Sequence, residues 1–406
     1  MICYLDNAAT TRALPEVAEL VSKVMTEDYG NPSSLHSIGF SAEKCVREAA
    51  TRIAKTLKTE EKNIVFTSGG TESNNTALIG TALANIRNGK HIITTVFEHP
   101  SVSEPLIYLE KQGFEITFLP VGHDGRISED ELKSALRDDT IIVSIMMVNN
   151  EIGVVQDIEK LARTVKYHNR GIIFHSDVVQ AYGKLPLRPK KWGIDLMSVS
   201  GHKFHGPKGT GFLYMADGLK THPYIHGGGQ QKNRRSGTEN VPGISGLGLA
   251  AEIADREMKD SYERVSELSD FFITELRKTD GIVVHGRPGV FSDDGTCMET
   301  GRNKTDIPEC CGYYSPYIIS AGVEGVKSEV LLHALEGKGI FVSSGSACSS
   351  NHPGISGTLT AIGVDKTYLD STIRFSLSRY TTREELDYTL TVLNDLLPTL
   401  RKFTKR

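Results

Sequence analysis

No apolar run in this 406-residue chain approaches the roughly 18 residues that a membrane-crossing helix needs. The most apolar stretch, residues 141–148, is only the length of a strand. The opening MICYLDNAAT carries an aspartate and no hydrophobic segment, so no secretory signal is expected and a cytoplasmic location is. An excess of one charge is also missing. Lys and Arg number 46 against 50 Asp and Glu, a net charge of −4, which excludes a strongly basic nucleic-acid binder as the default. Cysteine is scarce: Cys3, Cys45, Cys297, Cys310, Cys311 and Cys348, with no Cys-x-x-Cys pair. That excludes a disulfide scaffold and argues against structural zinc, and no metal is expected. There is no internal repeat and no extended low-complexity tract. The remainder is an ordinary globular balance, 39% hydrophobic and 24% charged, in a chain long enough for more than one domain.

Short apolar segments alternate with helical ones through the first two thirds. Strands are expected at 64–67, 92–96, 115–120, 141–148, 172–175, 196–199 and 210–214. Helices are expected at 72–87, 101–112, 128–136 and 157–168. This order predicts an α/β fold with a mostly parallel sheet, and ligands then sit at the carboxyl ends of the strands. A Gly-rich connector, 227–248, leads into a long helix over 249–278. Beyond it, strands near 282–284, 317–320, 340–342 and 372–376, with helices near 327–336 and 383–401, predict a second, smaller α+β unit. Pro398 is expected to bend or end the last helix. Residues 287–315 lack a period and read as a long surface loop or insertion.

Chemistry gathers at the strand ends. In NIVFTSGGTESNN (63–75) a strand ends, Gly69 and Gly70 turn, and Thr71 opens a helix. Free backbone N–H groups there suit a phosphate, although an ordinary capped helix gives the same pattern. In HSDVVQ (175–180) a buried strand delivers Asp177, with Gln180 beyond it. A carboxylate there needs a partner: a protonated ring nitrogen of a cofactor, a helix cap or an arginine. In SGHKFHGPKGTG (200–211), Ser200, His202 and Lys203 follow a strand into a Gly-rich loop. A desolvated lysine is a nucleophilic amine able to form a Schiff base, and a solvated one is inert. The run is no P-loop, because Pro207 follows Gly206 where a lysine is required. Gly246-x-Gly248-x-x-Ala251 follows a loop, not a strand, and is discounted as a dinucleotide motif. His99, at another strand end, reads as a site residue or a capping histidine, and His36 is weaker still. Cys348, in SSGSACSS (343–350), lies among Ser and Gly rather than apolar neighbours, which suits a reactive thiol better than a packing one. Ligation together with His352 is the rival.

Taken in order, these segments resemble one family. LDNAATT (5–11), GNPSSLHSIG (30–39), TSGGTESNN (67–75), EHPSV (98–102), NNEIGVVQD (149–157), HSDVVQ (175–180), SGHKFHGPKG (200–209), RRSGTEN (234–240), SSGSACSS (343–350) and STIRFSLSR (371–379) look like the pyridoxal-phosphate-dependent cysteine desulfurases of the NifS and IscS type, within the class V aminotransferases. The resemblance runs from residue 5 to about 395.

The resemblance implies a type I pyridoxal-phosphate fold, aspartate-aminotransferase-like, acting as a homodimer. Its large cofactor-binding domain, residues 15–258, would hold a seven-stranded central sheet. The small domain would comprise 1–14 and 259–406 and carry the catalytic-cysteine loop. By resemblance, Lys203 holds pyridoxal 5'-phosphate covalently and moves the substrate's α-proton. Asp177 pairs with the ring nitrogen, Gln180 with the ring hydroxyl, and His99 stacks on the ring. Gly70, Thr71, Ser200 and His202 hold the phosphate, with Thr238 of the partner subunit. Asn150 and Arg374 bind the substrate end, Arg374 as a fork on the carboxylate. Cys348 would take sulfur from L-cysteine as a persulfide, leaving L-alanine. The sulfur would pass to an acceptor protein, either an iron–sulfur scaffold or a tRNA-thiolation carrier. No membrane and no direct nucleic-acid contact are expected. Selenocysteine lyase or a related type I enzyme is the alternative. The spacing from Cys348 to Gly363 places the chain with the long-loop group. The insertion near 287–315, with Cys297, Cys310 and Cys311, has no counterpart in the family pattern.

Overall fold

The structure is a computed structural model that describes residues 1–287, 313–344 and 356–404. Its strands are β1 (Cys3–Tyr4), β2 (Ile64–Thr67), β3 (His91–Thr95), β4 (Glu115–Leu119), β5 (Thr140–Ser144), β6 (Ile173–Asp177), β7 (Leu196–Ser200), β8 (Gly211–Met215), β9 (Ile282–Val284), β10 (Ile318–Val323), β11 (Ile340–Phe341), β12 (Ser343–Ser344) and β13 (Thr372–Ser376). Six short strands with every residue buried, β2, β3 and β5 to β8, have to be covered on both faces. Together with β4 they form a seven-stranded sheet in the order β2-β8-β7-β6-β5-β3-β4. The run from β7 to β4 is parallel, and β8 is antiparallel to both of its neighbours, β2 and β7.

The edges of the sheet are handled in two ways. Strand β4 is half solvated, with Glu115 and Thr117 diluting its apolar residues. Strand β2 is capped by a side chain: the Gln231 amide accepts from Phe66 N at 2.7 Å and donates to Phe66 O at 2.9 Å. On the helical side, Val241–Arg256 lies tightly against Ser37–Leu57. A Cβ at Gly248 would come within 2.6 Å of Ala49 Cα, so only glycine permits that approach.

A second sheet, β12-β13-β10-β9, is antiparallel throughout, and β1 pairs with β11 in parallel beside it. Phe272, on the helix Met258–Lys278, packs edge-on against Phe375 of β13 with ring centroids 5.1 Å apart. Each such fully buried ring contributes about 2 to 3 kcal/mol. One continuous core joins the two sheets, from Phe174 and Phe212 to Ile318 and Phe375. The chain's first residues run between them: Ser376 N donates to Leu5 O at 2.7 Å, and Ala8 N donates to Ser376 Oγ at 2.8 Å.

Several local expectations need correction. The helix expected at 72–87 begins at Gly70, on the turn itself, and passes through a π-helical stretch, Thr76–Gly80, before ending at Asn85. The helix expected over 249–278 is two helices, Val241–Arg256 and Met258–Lys278, separated at Glu257. Pro398 does not end the last helix, Arg383–Thr404, which runs on past it. The strand expected at 141–148 stops at Ser144, because the chain then turns to line a cavity. Among the described residues, no helix is long and apolar enough to cross a membrane, and no cluster of three or more His, Cys, Asp or Glu could hold a metal.

Candidate active site

Strands β2, β3, β5, β6 and β7 point their carboxyl ends the same way. The loops leaving those ends enclose a cavity of about 590 Å³. Gly69, Gly70, Thr71, His99, Asn150, Asp177, Gln180, Ser200, His202 and Lys203 all line it. Those residues come from five separate stretches of sequence, and the parallel topology brings them together. A larger groove of about 970 Å³ lies elsewhere, along the helices Glu129–Ala135 and Ile158–His168. It is lined by charged residues such as Glu129 and Lys160 together with apolar ones such as Leu136, Val155 and Trp192, and holds none of the expected site residues.

The floor of the cavity is the turn after β2. Gly69 has φ 152°, a conformation that side-chain-bearing residues rarely adopt, and a Cβ on Gly70 would lie 2.9 Å from Val179 Cγ2. Helix 70–75 begins directly on this turn, so its first N–H groups face the cavity. Glu72 closes the turn by accepting from Ser68 N at 2.9 Å and from Arg235 Nε at 2.9 Å. Burial pushes the Glu72 carboxyl up, but Arg235 and Ser68 outweigh it and hold the group below its ordinary range. Ser200 Oγ lies 3.5 Å from where a Gly69 Cβ would stand. His202 Nδ1 meets Thr10 Oγ1 at 3.1 Å, and burial, helped by Lys203, pushes its imidazole down to about 4.

Asp177 also lines the cavity. Its Oδ1 accepts from Val179 N at 2.9 Å and its Oδ2 from Asn74 Nδ2 at 2.8 Å. Asn74 is fully buried and also donates to Ser101 Oγ at 2.8 Å. His99 caps the helix Pro100–Lys111, with Nδ1 accepting from Ser101 N at 3.1 Å. An Nδ1 that accepts a backbone N–H leaves the ring proton on Nε2. Burial holds this imidazole below its ordinary range; Lys203 adds to the effect and Asp177 opposes it.

Lys203 is half-buried, and its Nζ donates to Ala8 O at 2.6 Å and to Ala9 O at 2.8 Å. Gln180 Nε2 also donates to Ala8 O, at 2.9 Å. The N-terminal segment thus closes the site. Arg374 does not line the cavity. It lies behind the cavity wall, 2% exposed, donating to Asn150 O at 2.9 Å and paired with Asp6 Oδ1 at 3.1 Å. Burial pushes the Asp6 carboxyl up, against the pull of Arg374. Thr238 is exposed and away from the cavity. Cys348, His352, Cys297, Cys310 and Cys311 lie outside the described residues. His36 is a helix cap, accepting from Gly39 N at 3.2 Å.

Asn74, Ser101, Glu72 with Arg235, and Asp6 are site residues that the sequence reading did not single out. The available signal was a run of polar residues, Ser73, Asn74 and Thr76, too close to a strand end to be a solvated face.

The residues present fit pyridoxal phosphate. A glycine-floored turn with N–H groups at a helix start suits a phosphate, a buried carboxylate with lone pairs to spare suits a ring nitrogen, and the Lys203 amine lines the same cavity. The family model for class V aminotransferases matches residues 3–297 and 310–389, and the chain belongs to that family. It is 45% identical over 398 residues to the cysteine desulfurase IscS of Dictyoglomus turgidum, covering 98% of this chain and 95% of that one. It is 43% identical to the cysteine desulfurase IscS of Methanosarcina thermophila, covering 99% and 93%. A solved structure described as a NifS-like protein superposes with a TM-score of 0.87 at 35% identity, covering 98% of this chain and all of that one.

Proposed function

We propose that this protein is a pyridoxal-phosphate-dependent cysteine desulfurase that moves sulfur from L-cysteine onto Cys348 and leaves L-alanine. The observation that carries the reading is the convergence of Lys203, Asp177 and His99 on one glycine-floored cavity, in a chain so similar to proteins named cysteine desulfurases.

Gly70, Thr71, Ser200 and His202 would hold the phosphate, Asp177 the ring nitrogen's proton, Gln180 the ring hydroxyl, and His99 one face of the ring. Bound pyridoxal phosphate supplies an electron sink that acidifies the substrate's α-carbon. Lys203 is the base that takes the α-proton, and the backbone carbonyls of Ala8 and Ala9 fix where its amine stands. Asn150 lines the substrate end of the cavity, and Arg374, held directly behind it, would have to come forward to fork the substrate carboxylate. The Cys348 thiolate attacks the substrate sulfur. An S–S bond forms as the C–S bond breaks, and its electron pair stays on the carbon, which is protonated to alanine. His99, neutral with its proton on Nε2, is placed to pass a proton inside the cavity. The exposed position of Thr238 suits a reach into a second subunit of a homodimer. Residues 15–258 form the large cofactor unit, and 1–14 with 259–406 the small one. The persulfide then passes to an acceptor protein.

The test is alanine release from L-cysteine by the cofactor-loaded protein. Cys348→Ala is expected to keep the visible absorbance and lose turnover, and Lys203→Ala to lose the covalently held cofactor. A wild-type protein that takes up no pyridoxal phosphate, or a Cys348→Ala variant with full turnover, would refute the reading.

A further inference from the structure

Four residues beyond Gln180 stands a second buried lysine that the mechanism above does not use. Lys184 is 8% exposed, and its Nζ donates to Gln180 Oε1 at 3.3 Å. The Tyr317 ring centroid lies 5.5 Å from that nitrogen. The charges that act on it, Lys203 and Arg374, are both positive. Arg379 and His205 line the same small cavity, and His202 also feels the Lys184 charge. Burial, reinforced by these cations, pushes the Lys184 ammonium down to about 7. An apolar side chain of the same length would fill the space without that penalty. The lysine is therefore poorly explained by stability.

Its geometry offers an explanation. Below about pH 7 Lys184 Nζ is an ammonium that can only donate, and Ala8 O can only accept. Gln180 lies between them, so its amide must turn Oε1 toward Lys184 and Nε2 toward Ala8 O. The end of Gln180 that reaches the active-site wall is thereby a fixed donor. Ala8 O also accepts from Lys203 Nζ, so one hydrogen-bonded line joins the two lysines through Gln180 and a carbonyl. Lys203 lines both the active-site cavity and the small cavity that Lys184 faces, and so stands between Lys184 and the substrate.

We propose that Lys184 is a positioning residue: while it carries its proton it is a buried cation behind Lys203 that fixes the donor end of Gln180 and disfavours a proton on the Lys203 nitrogen, keeping that nitrogen nucleophilic. The inference rests on the cysteine desulfurase reading of the same cavity. Its sign is definite. A cation nearby lowers the pH at which the Lys203 nitrogen gives up its proton, and removing that cation raises it.

The test uses the cofactor-loaded protein, whose visible band reports the proton on the Lys203 nitrogen, titrated at low salt. Lys184→Met is expected to move the titration midpoint up by about one pH unit. Lys184→Arg, which keeps a cation, is expected to leave it at or below the wild-type value and to restore most of the turnover that Lys184→Met loses. Lys184→Gln serves as a second neutral variant should the methionine protein fold poorly. An unmoved midpoint in both neutral variants, or an equal upward shift in Lys184→Arg, overturns the proposal. Borohydride trapping and peptide mapping separate the two failures. If the wild type carries its cofactor on Lys203 and the midpoint does not move, the role of Lys184 alone falls. If the cofactor is absent or on another lysine, the desulfurase reading falls and takes the proposal with it.

Discussion

Glu98 carries a prediction that can be worked through from the structure. It follows β3, and its Oε1 accepts from Thr95 Oγ1 and from Met146 N, both at 2.8 Å. Its Oε2 has no partner among the described residues. Burial outweighs these two bonds and pushes the carboxyl up to about 8, and the charge of Asp177 adds to the rise. In the unfolded chain the same group titrates at about 4.5. The folded state therefore keeps a proton that the unfolded state has already released. The stability this gives is whole below about 4.5, falls as the pH climbs, and is fully lost above about 8. That interval corresponds to about 4 to 5 kcal/mol. Glu98→Gln keeps a carbonyl for both bonds and cannot ionise. At pH 5 the variant and the wild type should agree to within about 1 kcal/mol. At pH 9 the variant should be the more stable by about 4 kcal/mol. Denaturant midpoints measured side by side from pH 5 to 9 make the comparison, since every other titrating group is common to both proteins and cancels in the difference. Parallel curves over that range would refute the buried, proton-holding carboxyl. While Glu98 keeps its proton, the cavity wall also avoids a second negative charge beside Asp177.

Asn74→Leu removes the donor to Asp177 Oδ2 and to Ser101 Oγ. It should cost about 1 to 3 kcal/mol by denaturation and lower kcat/KM for L-cysteine about tenfold or more; unchanged kinetics would show that Asp177 needs no such support. Asp6→Ala strands the buried Arg374, whose guanidinium then keeps only the Asn150 carbonyl as a hydrogen-bond partner among the described residues. A loss of about 3 kcal/mol is expected, and an unaltered denaturation midpoint would mean that the pair is not formed in solution. The His99 ring should be neutral at pH 7, with its proton on Nε2, and nitrogen NMR of the labelled ring would overturn this by finding the proton on Nδ1.

Much of this arrangement was legible in the sequence because it is local. A strand that ends in Asp177, a glycine turn before Thr71, and a lysine three residues past Ser200 are each written within a dozen residues. The rule that α/β sheets bind ligands at strand carboxyl ends then brings them together. What escaped the reading is what folding adds between distant segments. Asn74 meets Asp177 across 103 positions and Arg374 meets Asp6 across 368, and no periodicity encodes such a pairing. The break at Glu257 escaped for a different reason. The helical pattern continues on both sides of that residue, and the interruption is of the backbone rather than of the apolar face.

The N-terminal segment shows how such pairings become functional. Residues 5–11 look like an extended lead-in, with only two short apolar stretches. In the folded protein Leu5 and Ala8 are tied to Ser376 at the end of β13. Asp6 holds Arg374 of the same strand. Two and three residues further on, the carbonyls of Ala8 and Ala9 hold the amine of Lys203. A single tight turn, closed by Ala9 N and Thr10 N donating to Asp6 O, therefore connects the arginine behind the substrate end to the lysine at the reacting end. Any shift of β13 relative to the large sheet must be transmitted through backbone carbonyls to Lys203, or must break those hydrogen bonds. The distance between the two groups is thus set by a few planar peptide units locked in a hydrogen-bonded turn, which is a stiffer ruler than any pair of flexible side chains.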